Sequence, residues 1–218
     1  MQHFSVIHDG SDQGWQAAYL AFHMAARLGA PLRALLTESP AEKKAHAQRA
    51  TQIEVGGRAA GVAVESRLIT DFSVANIVEN CKGTNGLFVP RRLIPDEKTA
   101  HRFLRALSCP LWLVSMESAM DGMVMLIGDY ASDEALIHYA MTLSGRIQLP
   151  LTGLVQQNEF PSISKSNPDI IWQPIPDLTP LAIATALKQV NASLLFLSIA
   201  YFSLADELPI NCVIYPAS

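Results

Sequence analysis

The chain has 218 residues, half of them hydrophobic and 17% charged, with a formal net charge of −4. That length suits one large or two compact domains at roughly 100–150 residues each, and the composition excludes a disordered chain. The negative balance argues against sequence-independent nucleic-acid binding as the main task. Charge is also uneven. Residues 1–118 carry 13 Lys+Arg against 11 Asp+Glu, whereas residues 119–218 carry 3 against 9. Either the two halves attract each other, or the solvated surface has simply drifted in composition.

The elements follow in chain order. Residues 4–7 form an apolar run that closes on His8-Asp9-Gly10-Ser11, with Ser11 or Asp12 suited to cap the helix that follows. Ala17, Leu20, Ala21, Met24, Ala25 and Leu28 then recur at spacings of three and four, the mark of one buried helix face. A strand is expected over 32–37, an Ala-rich polar helix over 41–57 and a strand over 62–69. Next come a helix over 73–81 capped by Asp71 or Ser73, a buried strand over 87–90, a helix over 96–107 and a last strand over 111–115. Alternation of this kind reads as a parallel sheet with helices on both faces.

A second copy then begins. Residues 123–127 are again apolar and lead to Gly128-Asp129, and a helix is expected over 132–146. Arg27 with Pro31 in the first copy matches Arg146 with Pro150 in the second. Strands over 151–155, 170–172, 194–197 and 212–215, a helix over 179–190 and about two helical turns over 201–207 complete it. A Ser/Pro/Asn loop over 158–167 stands where the first copy has a helix. The join falls near 118–122, giving domains 1–118 and 119–218.

The first copy resembles a universal stress protein domain. The resemblance rests on Asp9-Gly10-Ser11, on Ala26-Arg27-Leu28-Gly29-Ala30 at the helix end, and on Cys109-Pro110 before the apolar run 111–114. In the second copy it rests on Gly128-Asp129, Arg146, Pro150 and element order. It implies two α/β Rossmann-like domains of the adenine nucleotide alpha hydrolase type, each a five-stranded parallel sheet flanked by helices. It further implies a stress-response role and a pseudo-dimer of the two halves within the chain.

In such a fold, ligands sit beyond the carboxyl ends of the first and fourth strands. The candidate residues are Asp9, Gly10 and Ser11 from the first strand and Pro90, Arg91 and Arg92 after the fourth, with Asp129 as the counterpart in the second half. Asp9 can accept from a base or ribose, and Ser11 can meet a phosphate or simply cap the helix. ATP-binding members of the family carry a glycine-rich loop after the fourth strand. This sequence has no glycine between Gly86 and Gly122, and Pro90 and Pro95 lack N–H groups. The reading is therefore a non-enzymatic sensor or interaction protein without a bound cofactor, and its alternative an ATP- or AMP-binding protein. In the alternative, Arg91 and Arg92 replace the glycine loop by side-chain forks. Otherwise they form a solvated basic turn or pair with the acidic second half.

The remaining chemistry is bland. Cys81, Cys109 and Cys212 are odd in number and widely spaced, so neither a disulfide framework nor a metal site is expected. His8 is expected on the strand face opposite Asp9. Trp112 fits either an interface anchor or core packing. There is no Walker loop, dinucleotide fingerprint or nucleophile elbow. No leader pattern opens the chain, and its longest apolar stretch, 193–204, is shorter than the ~20 residues of a membrane span. A cytoplasmic protein is expected, with no membrane or nucleic-acid partner and with a second copy or another protein as its partner.

Overall fold

The computed structural model describes residues 3–37, 43–70, 72–115, 120–160 and 170–216, and no side chain before residue 46 in the second helix. The chain divides into two compact units, Met1–Glu117 and Ser118–Ser218.

In the first unit, strands β1 (His3–His8), β2 (Leu32–Thr37), β3 (Val64–Ile69), β4 (Thr84–Pro90) and β5 (Leu111–Val114) alternate with helices. The helices are α1 (Asp12–Leu28), α2 (Lys43–Ala59), α3 (Val74–Asn80) and α4 (Glu97–Leu107). All strand pairs are parallel, in the order β3-β2-β1-β4-β5. The order reverses between β1 and β4, so their carboxyl ends open on a common mouth. β1 is buried along its whole length, and β4 is buried but for Asn85, as strands covered on both faces must be. β3 lies at the edge and is mostly exposed or half-buried.

Local chemistry sets the helix ends. Ser11 caps α1 by accepting from the Gly14 N–H, and Ser73 and Asp96 do the same for α3 and α4. Asp71 lies outside the described residues. α1 closes on Gly29 at φ 62°, the left-handed position where glycine has no Cβ penalty. Trp112 is a core residue: it is 1% exposed and stacks on Phe88 at 4.7 Å. All three cysteines are buried.

The second unit repeats the arrangement with β6 (Met123–Ile127), α5 (Glu134–Ile147), β7 (Leu151–Gln156), β8 (Ile171–Ile175), α6 (Pro180–Gln189), β9 (Leu194–Ser198), α7 (Leu204–Glu207) and β10 (Asn211–Tyr215). Its strands are also parallel, in the order β10-β9-β6-β7-β8, and the reversal falls between β6 and β9. Most of the expected 158–167 loop and much of the join lie outside the described residues. The strand expected at 170–172 runs on to Ile175 through Pro174, which an edge strand tolerates because one side of its ladder is open.

One expectation fails instructively. The helix expected from 132 starts at Glu134. Asp133 stands at its cap position but makes no cap bond. Its Oδ2 turns back to accept the N–H groups of Gly128 (2.9 Å) and Asp129 (3.3 Å), so a turn replaces the first helical residues.

Candidate functional site

β1 ends at His8, and three residues bridge it to α1. Within them Asp9 is the hub. Its Oδ1 accepts the Ser11 N–H at 3.1 Å and the Ser11 hydroxyl at 2.5 Å. Its Oδ2 accepts Arg92 Nε at 2.8 Å and lies 2.5 Å from Arg92 Nη2, so the guanidinium grips that oxygen through both nitrogens. The Asp9 side chain is 6% exposed and that of Arg92 53%. Burial pushes the Asp9 carboxyl up, but the Ser11 bonds and the Arg92 charge outweigh it and hold the group below its ordinary value.

Two glycines make room for this. A Cβ on Gly14 would lie 2.7 Å from Asp9 Oδ1, so only glycine at the start of α1 admits the carboxylate. Gly10 has φ 82°, and a Cβ there would collide with the Arg49 guanidinium from α2. Ser11 is doubly used, since its oxygen also accepts from the Gly14 N–H at 3.1 Å. Gln13 joins the two strand ends: its Oε1 accepts the Arg92 N–H at 3.4 Å and its Nε2 donates to Ser115 O at 3.5 Å.

Pro90 is a buried end residue of β4, in register with Val114. Arg91–Leu93 forms a single 3-10 turn, in which the Ile94 N–H donates to Arg91 O and Arg91 Nη1 donates to Ile94 O. The N–H groups of Arg92 and Ile94 are thus already engaged, and the two prolines have none. The carboxylate that Arg92 meets, that of Asp9, belongs to its own unit.

His8 needs a correction. Gly10 N–H donates to its Nδ1 at 3.1 Å, so the ring proton sits on Nε2, which has no hydrogen-bond partner among the described residues. The ring is fully buried and meets Trp15 edge to face at 4.3 Å. A Cβ on Gly14 would lie 3.6 Å from His8 Cγ as well as beside Asp9, so both side chains approach the start of α1. Strand alternation fails because the chain leaves the strand at Asp9. Burial, reinforced by the Arg49 charge, lowers the His8 pKa to about 4 against the opposing pull of Asp9.

The second mouth is filled differently. Asp129 accepts the Ser132 hydroxyl at 2.5 Å and the Ala131 N–H at 3.4 Å. A Cβ on Gly128 would collide with the Tyr201 hydroxyl, which lies across the end of β6 from the turn after β9. Asp133 is 2% exposed and burial raises its pKa. Burial, with Asp133 and Asp129 nearby, raises that of Tyr201.

Sequence reasoning missed Gln13, Gly14 and Arg49 in the first mouth, and Asp133 and Tyr201 in the second. Gly14, a glycine in the first turn of a good helix, was the one local signal. No group of three or more metal-ligating side chains occurs among the described residues. The Ser11–Asp9 pair is a weak nucleophile and base, because a carboxylate held below its ordinary pKa takes up a proton poorly at neutral pH.

No protein-family model and no curated protein sequence matches this chain. Solved structures do. A universal stress protein from Archaeoglobus fulgidus superposes at a TM-score of 0.73 with 10% identity, over 97% of this chain and 98% of that one. A putative universal stress protein from Pseudomonas aeruginosa gives 0.69 with 13% identity, over 99% and 93%. The cytoplasmic domain of a prokaryotic cation chloride cotransporter gives 0.52 with 14% identity, over 98% and 95%. The chain therefore resembles the universal stress proteins in structure and has their Rossmann-like α/β fold, with a mostly parallel sheet flanked by helices. No helix among the described residues is long and apolar enough to cross a membrane.

Proposed function

We propose that this chain is a non-enzymatic, cytoplasmic stress-response sensor or interaction protein, whose two ligand mouths are filled by its own side chains. The observation that carries the reading is the grip of Arg92 on Asp9. It occupies the carboxylate that a ligand on this fold would address. Tyr201 over Gly128 supports the same reading in the second unit. The fold's occurrence as the cytoplasmic domain of a cotransporter is in keeping with a role exerted on other proteins.

A second reading has one observation in its favour. Arg49 and Arg92 both reach the mouth of the first unit, and Arg91 lies in the turn beside it. A nucleotide such as ATP or AMP would then displace Arg92 from Asp9 and meet Ser11, Arg91 and Arg92. A thermal-shift titration with ATP, ADP and AMP, with and without magnesium, decides. A ligand that binds only the folded state stabilises it by RT ln(1 + [L]/Kd). The proposal expects an unmoved melting temperature at millimolar nucleotide. A clear rise that Arg92→Ala abolishes would replace it with the nucleotide reading.

A further inference from the structure

Helix α1 carries two stripes. Ala17, Leu20, Ala21 and Met24 are buried, and the helix packs on β1 and β4. Beside them Trp15, Tyr19 and Phe22 stand at spacings of four and three, so their rings share one side of the helix. The centroids of Trp15 and Tyr19 lie 6.2 Å apart at 32°, and those of Tyr19 and Phe22 6.2 Å apart at 73°. Phe22 is buried against α2, where a Cβ on Gly56 would lie 3.1 Å from its Cε2. Between the two helices lies an open cavity of about 520 Å³. The three rings form its α1 wall, and Thr51, Gln52, Val55 and Gly56 its α2 wall. Tyr19 and Val55 are 55% and 56% exposed, two of the five large hydrophobic side chains exposed among the described residues, and both line this cavity.

The walls limit what can enter. No charged side chain lines the cavity among the described residues, so an ionic ligand would give up water without gaining a counter-charge. Three aromatic rings offer faces and edges to a further ring. Gln52 is exposed, and its amide both donates and accepts. The Thr51 hydroxyl donates to Ala47 O at 3.0 Å and can still accept. The volume falls within the roughly 300–1,000 Å³ of small-molecule sites, whereas the seven lining residues are far fewer than the roughly 20–30 that each side of a stable protein interface uses.

We propose that the cleft between α1 and α2 binds a small, uncharged aromatic molecule of one or two rings, stacked on Trp15 and Tyr19, with one polar group held by Gln52 or Thr51. The cavity includes none of Asp9, Ser11 and Arg92, so the proposal stands whatever the first mouth holds.

Calorimetric titration of the full chain with naphthol, two fused aromatic rings and one hydroxyl, tests it. Saturable binding of one naphthol per chain is expected. Its fully hydrogenated counterpart, similar in size but without a π-face, should bind more weakly, and so should naphthoate, which brings a charge. Tyr19→Ala should weaken naphthol binding about three- to tenfold, the worth of one aromatic contact, and Val55→Ala on the facing wall should weaken it as well. Both positions are more than half exposed, so both variants should melt within a few degrees of the natural chain. Binding that neither substitution weakens, or equal affinity for the hydrogenated ring or for naphthoate, overturns the proposal. So does a titration that shows no saturation at millimolar naphthol. Sedimentation at twice the mass of one chain, returned to 23.7 kDa by Tyr19→Ala, would overturn it by giving the cleft to a second copy.

Discussion

His8 and Asp9 are neighbours with opposite demands on the proton. His8 is buried as the neutral ring, with a pKa of about 4 set first by burial and then by Arg49. Its unfolded counterpart titrates near 6.5. Between those values the unfolded chain binds the extra proton, so stability is full above about pH 6.5 and falls as pH drops towards 4, by on the order of 1 kcal/mol per unit. Asp9 adds the depressed-carboxylate case: its stabilisation is present above the ordinary Asp value and is lost as pH falls through the lower folded one. In His8→Asn, whose side-chain oxygen can still accept the Gly10 N–H, the loss between pH 6.5 and 4.5 should shrink markedly. Urea midpoints across that range measure it. Parallel curves for the variant and the natural protein would show that His8 does not titrate between the two states.

At the level of elements, the two copies of the first helix end alike in geometry and unlike in chemistry. α1 closes on Gly29, while α5 closes on Gln148 at φ 56°, with the cap N–H donating to Ser144 O. A glutamine in the left-handed region carries a steric cost that glycine avoids. Gln148 is exposed, so its side chain gives little packing in return. Gln148→Gly should therefore stabilise the second unit by about 0.5–1 kcal/mol. A raised urea midpoint at unchanged slope is the expected result, and a lowered one would mean that the side chain holds something the backbone geometry does not show.

For the whole molecule, protection should follow the sheet order within each unit. β1 and β4 in the first unit, and β6 and β9 in the second, are central and almost wholly buried. β3 and β8 lie at unit edges and are mostly exposed or half-buried. Amide exchange should accordingly be slowest in the four central strands and fastest in β3 and β8. Protection of β8 equal to that of β6 would require a cover over that edge.

Much of this was legible along the chain because its causes are local. Residues 32–37 and 123–127 read as strands and are strands to the residue, since short, largely apolar runs between turn signals admit little else. Ser73, Asp96 and Thr179 cap their helices because a short side-chain oxygen meets an N–H three residues on. The repeat, and with it two parallel units, followed from spacing alone. The site was legible only in part. Asp9, Ser11 and Arg92 stood out as residue types at strand ends, but their partnership spans 83 positions between Asp9 and Arg92.

The order and kind of the described elements and most of their helix caps were thus determined by the sequence itself, through interactions that reach a few residues. Only the tertiary structure decided what fills each mouth: Arg49 above Gly10, Arg92 on Asp9, and Tyr201 across Gly128. Those contacts join distant segments, and nothing in the local chain encodes which side chain arrives there until the parallel strands set their ends side by side.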